Sequence, residues 1–92
     1  MEYYETEEHK NLCLAVNVSS ALGLAFKVMP HTWADKIFSW ENDDCSLSIH
    51  LYIDSKELAY EHTLGEKFPF THKEWLAFQG IAAVNDLEIL EL

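Results

Sequence analysis

The sequence predicts an α+β fold, a single small domain in which an antiparallel or mixed sheet of about five strands carries two helices packed on one face, in the order ββαββαβ. Three observations lead there. Residues 46–64 alternate polar and apolar side chains with a period of two, as a half-buried hairpin does. Thr71 and Glu74 follow Pro69 as a capping box ahead of an apolar run at helical spacing. Finally, a chain of 92 residues, 49% of them hydrophobic, has material for one core and not for two.

Taken in order, residues 1–9 hold four glutamates and two tyrosines without period, which predicts a flexible acidic arm ahead of one domain over 10–92. From Leu12 the text alternates, with Leu12, Leu14, Val16 and Val18 on one face and Cys13, Ala15 and Asn17 on the other, as in a half-buried strand. A loop at Ser19-Ser20-Ala21 would then pair Leu22 with Val18 and Phe26 with Leu14. Residues 21–29 also fit a helix capped by the serines, since Ala21, Leu24, Ala25 and Val28 form a helical stripe, so strand and helix both stand there.

Pro30 ends that element. Thr32 and Asp35 resemble a short capping box leading into Trp33, Ala34, Ile37 and Trp40, which predicts a short helix closed by the turn-forming run Glu41-Asn42-Asp43-Asp44. Next, a tight Ser55-Lys56 turn sets Ile53 opposite Leu58, Leu51 opposite Tyr60, Ile49 opposite His62 and Leu47 opposite Leu64. The other face of that hairpin displays Ser48, His50, Tyr52, Ala59, Glu61 and Thr63, with His50 directly opposite Glu61. The capped helix then carries Trp75, Leu76, Phe78, Ile81, Ala82 and Val84, Asn85-Asp86 breaks it, and Leu87–Leu92 reads as a closing strand.

Charge narrows the function classes. Sixteen acidic and six basic residues give a formal charge of −10, and every basic residue is lysine. Nucleic-acid binding needs clustered cations and favours the planar fork of arginine, whereas these lysines are scattered among carboxylates. An anionic membrane surface is disfavoured for the same reason. No run approaches the roughly 18–20 apolar residues of a membrane span, and the start Met1–Glu8 lacks the basic, then apolar, pattern of an export signal, so a cytoplasmic location is expected. Two cysteines make no disulfide framework, and a reducing compartment would leave Cys13 and Cys45 as thiols.

Catalytic and metal chemistry find little purchase in the text. No phosphate loop, dinucleotide fingerprint or nucleophile elbow occurs. In an extended chain His9 and Cys13 would lie roughly 13 Å apart and Cys45 and His50 would face opposite ways, so neither pair chelates locally. His50 with Glu61 is the best acid/base pair, and a cross-strand surface pair accounts for it. The expectation is therefore no enzyme, no metal and no cofactor.

What remains is protein binding. A field of this sign draws in a basic partner, and the charge lies just outside the magnitude of about 2–8 usual for a small domain. Trp33, Trp75, Phe26, Phe38 and Phe78 suit the core, while Trp40, beside Glu41, Asp43 and Asp44, would serve as an aromatic anchor rimmed by carboxylates. His50, Tyr52, Glu57 and Glu61 extend that candidate surface. The reading is a small acidic inhibitor that occupies a basic protein surface, of the kind formed by immunity proteins that neutralise nuclease toxins. A phage-type nucleic-acid mimic is the alternative, and so is a structural or adaptor subunit that completes an oligomer through an edge strand such as 87–92.

Overall fold

The computed structural model describes residues 7–26, 29–34 and 37–92. They form a small α+β domain with two helices and a mixed sheet. The elements are α1 (Glu7–Phe26), β1 (Met29–Ala34), β2 (Ile37–Glu41), β3 (Leu47–Tyr52), β4 (Glu57–His62), α2 (His72–Val84) and β5 (Glu88–Glu91). The sheet order is β1-β2-β3-β4-β5, antiparallel through β4, with β5 parallel to β4.

The element order αββββαβ replaces the predicted ββαββαβ. Over 12–26 the expected hairpin is instead the single helix α1, so the helical alternative holds for 21–26, and residues 27–28 lie outside the described residues. Its core side is Ala15, Val18 and Leu22, all buried, with Leu14 packed beside them. Glu7–His9, assigned to the arm by the sequence, form the first turn of α1, and the rest of the expected arm, 1–6, lies outside the described residues.

The second correction concerns the helix expected over 32–40: residues 32–34 and 37–40 belong to the paired strands β1 and β2, and residues 35–36 lie outside the described residues. Its residues are largely aromatic and β-branched types that favour a pleated surface. In β2 they also alternate, Phe38 and Trp40 packing on the core while Ser39 and Glu41 fall on the other face. Pro30 is accommodated because β1 is an edge strand, and the pairing register shifts between Pro30 and Thr32.

The β3–β4 hairpin forms with a different register. Its turn is Ile53–Lys56, closed by the Lys56 N–H donating to the Ile53 carbonyl at 3.2 Å, with Lys56 at φ 54°. Leu51 therefore faces Leu58, Ile49 faces Tyr60 and Leu47 faces His62. The pairing has moved by two residues, and an even shift keeps each side chain on its face.

Both helices lie on the face that carries Trp40, Ile49, Leu51, Leu58 and Tyr60. Trp40 Nε1 donates to Ser19 Oγ of α1 at 3.3 Å, tying that helix across β2. Under α2, Tyr60 packs edge-on against Phe70, Trp75 and Phe78, with ring centroids 5.0, 6.1 and 5.7 Å away. Burial beside Glu91, whose carboxylate accepts from the phenol at 3.4 Å, pushes the Tyr60 pKa above its usual value.

The predicted cap of α2 is present. Thr71 Oγ1 accepts from the Glu74 N–H at 3.2 Å, and Glu74 Oε1 accepts from the Thr71 N–H at 2.8 Å. We expect Thr71→Ala to lower the unfolding free energy by about 1 kcal/mol. Urea denaturation checks this, and an unchanged midpoint would show that the box adds nothing to α2.

An open acidic sheet face as the candidate functional site

The sheet face opposite the helices is built in rows that follow from strand register. Across β2 to β5, one row is Glu41, Ser48 and Glu61; the next is Ser39, His50, Ala59 and Leu90; the third is Ile37, Tyr52, Glu57 and Glu88. Four carboxylates stand among these eleven residues and no lysine does. Glu57 and Glu88 are direct neighbours on β4 and β5, a like-charge pairing that destabilises a sheet.

A hydrogen-bonded chain orders the middle of the face. Ser39 Oγ lies 2.8 Å from His50 Nδ1, and His50 Nε2 lies 3.2 Å from Glu61 Oε1. His50 and Glu61 are diagonal and not opposite, because the two-residue shift puts Ala59 across from His50. The His50 ring is 6.1 Å from Tyr52, so hydroxyl, imidazole, carboxylate and phenol stand close together. A shallow depression of about 290 Å³ lies beyond them, between Cys45, Ser46, Ser48, Glu61, His62 and Thr63.

That depression joins the face to the turn after β2. Asn42 braces the turn, its Oδ1 accepting from the Leu47 N–H at 3.1 Å and its Nδ2 donating to Ser46 Oγ at 3.0 Å. Asp44 Oδ1 accepts from the Ser46 N–H at 3.0 Å. The Ser46 side chain and then this N–H hold Asp44 below the ordinary carboxylate pKa, which strengthens the turn at neutral pH and releases it as pH falls through the carboxylate range. Asp43 and Asp44 are both exposed.

Cys45, at φ 59°, donates its thiol to Glu41 Oε2 at 3.4 Å, and this bond with the Glu41 charge raises its pKa. Thiolate is the reactive form. In a Cys13→Ser background, Glu41→Gln is therefore expected to speed alkylation of Cys45 several-fold at slightly alkaline pH. An unchanged rate would mean that Glu41 does not govern the thiol.

Of the residues singled out in the sequence, Glu41, His50, Tyr52, Glu57 and Glu61 share this face, and Asp43 and Asp44 adjoin it. Trp40 does not belong with them. Alternation along β2 turns it to the opposite face, where it is 1% exposed, so it is a core residue and not an anchor. Ser39 and Glu88 are the polar members that sequence reading missed. Ser39 lay in a segment read as helix, and Glu88 joins Glu57 only through the parallel pairing of β5, which no local pattern encodes.

The comparisons with known proteins return nothing. No family model matches the chain, and no curated protein or solved structure shows significant similarity to it. The face and its charge are therefore the ground for a functional reading.

Proposed function

We propose that this domain is a protein-binding inhibitor that lays the open face of its sheet, with the adjoining 41–46 turn, on a basic surface of a partner protein. The observation that carries the reading is the set of carboxylates Glu41, Glu57, Glu61 and Glu88 held on one rigid face with no lysine among its members. Strands fix these groups more firmly than loops do, and a complementary basic surface would relieve the repulsion between Glu57 and Glu88. Tyr52 and the Ser39–His50–Glu61 chain supply directional hydrogen bonds at the centre of the patch. A nuclease-type toxin neutralised by an immunity protein is the partner class that suits an acidic inhibitor of this size.

The test is capture from lysate of the native cell at low and at high salt, with the chain and its Glu57→Lys/Glu61→Lys variant side by side. One partner with a high isoelectric point, held by the natural chain, weakened by salt and lost by the variant, is the expected result. Equal capture by both chains would overturn the assignment of this face. Capture of further copies of the chain alone would favour an oligomeric subunit.

A further inference from the structure

On the outward side of α1, His9, Leu12, Cys13, Val16, Ser20 and Gly23 recur at intervals of three and four residues, opposite the buried Ala15, Val18 and Leu22. A surface helix normally sets charge there. This stripe contains no Asp, Glu or Lys, and it exposes Leu12 by 46% and Val16 by 58%. Within it, His9 Nε2 lies 3.5 Å from Cys13 Sγ. The sequence had excluded this pair on the assumption of an extended chain, whereas one helical turn brings residues i and i+4 together.

The pair is within hydrogen-bond reach for sulfur, and the same separation also suits two donors on one metal ion. Zinc at about 2.05 Å from nitrogen and about 2.3 Å from sulfur, at the tetrahedral angle, sets the two donors about 3.6 Å apart. Two ligands at i and i+4 of a helix are a standard half of a zinc site. No group of three or more His, Cys, Asp or Glu suited to a metal occurs among the described residues, so the remaining donors must come from elsewhere.

We propose that two copies of this chain meet across the outer stripe of α1 and share one Zn²⁺ held by His9 and Cys13 of each. A two-fold axis, the commonest symmetry of oligomers, would set the stripe of one copy against the same stripe of the other. For a chain of charge −10, a stripe whose members from Leu12 to Gly23 carry no carboxylate is also a place where two copies meet with less repulsion. Each Cys13 thiol gives up a proton to solvent as its sulfur binds, two protons per metal, so the two thiolates balance the ion's charge and affinity falls as pH is lowered. Leu12 and Val16 from both copies would close over the site and exclude water.

The experiment is a titration of the full chain, kept reduced so that no disulfide forms, with Co²⁺ and then Zn²⁺. Expected are visible bands of tetrahedral Co²⁺ with thiolate charge transfer, saturating at one metal per two chains. Light scattering should show the mass doubling with Zn²⁺ and reverting with chelator. His9→Asn and Cys13→Ser should each abolish both signals, Cys45→Ser should keep them, and Val16→Glu should block the doubling, with circular dichroism confirming the fold of each variant. Absence of thiolate bands, saturation at one metal per monomer, or a signal that survives Cys13→Ser would overturn the proposal.

Discussion

Replacing Trp40 by alanine is expected to lower the unfolding free energy by about 3–5 kcal/mol, the range for removing a large buried aromatic. Trp40 is 1% exposed and stacks on Phe38 at 6.3 Å. It sits across from Ile49 and donates to Ser19, so its loss leaves a cavity beneath α1 and a serine without its indole partner. Domains of this kind hold only about 5–15 kcal/mol in total. Since each kcal/mol moves the midpoint by about 4–8 °C in a domain of this length, Tm should fall by more than about 10 °C. Near-ultraviolet circular dichroism during heating measures this directly. A variant that kept its Tm and lost only partner affinity would place Trp40 on the interface after all, and with it the assignment of β2's two faces would fail.

Trp40 also shows where the sequence could be read and where it could not. Positions 33, 34, 37 and 40 satisfy a helical stripe and positions 38 and 40 a strand's alternation, and over so few residues the two periods do not separate. Longer or better punctuated stretches were legible. Thr71 and Glu74 announced α2 by a reciprocal hydrogen bond that needs no tertiary context, and Leu47, Ile49 and Leu51 announced β3 by alternation alone. The 12–18 segment misled for a physical reason: Leu14 and Val18 face the core from α1, while Leu12 and Val16 face away, so apolar side chains on opposite sides of a helix imitate one side of a strand. That a local rule fails at this stripe is what a surface kept apolar for a partner would produce.

The candidate site was legible to a comparable depth. His50, Tyr52, Glu57 and Glu61 fell on one face because the hairpin's alternation places them there whichever even register it takes. The partner of each residue depended on the turn, and a four-residue turn in place of a two-residue one moved Glu61 from opposite His50 to its diagonal, where the pair still meets at 3.2 Å. Glu88 needed the β4–α2–β5 crossover, whose result appears only in three dimensions.

Glu57→Lys is expected to stabilise the free domain and to weaken the complex. In the natural chain Glu57 and Glu88 are neighbours of like charge, and cross-strand pairs are worth roughly 0.2–1 kcal/mol in either direction, so turning this repulsion into attraction should raise Tm by a few degrees. The same change moves the charge of the face by two units. Electrostatic steering lifts association rates well above the unsteered 10⁵–10⁶ M⁻¹s⁻¹, so the variant should associate about tenfold or more slowly at low salt, with dissociation less affected. The difference should shrink as salt screens the field over about 10 Å at 0.1 M. Stopped-flow association with the captured partner and a melting curve of the free domain give the two halves of the result. A residue kept for the fold would lose stability on this exchange, whereas one kept for binding gains it, and the opposite pairing of outcomes, lower Tm with an unchanged association rate, would remove Glu57 from the interface and leave its repulsion with Glu88 without a purpose in this reading.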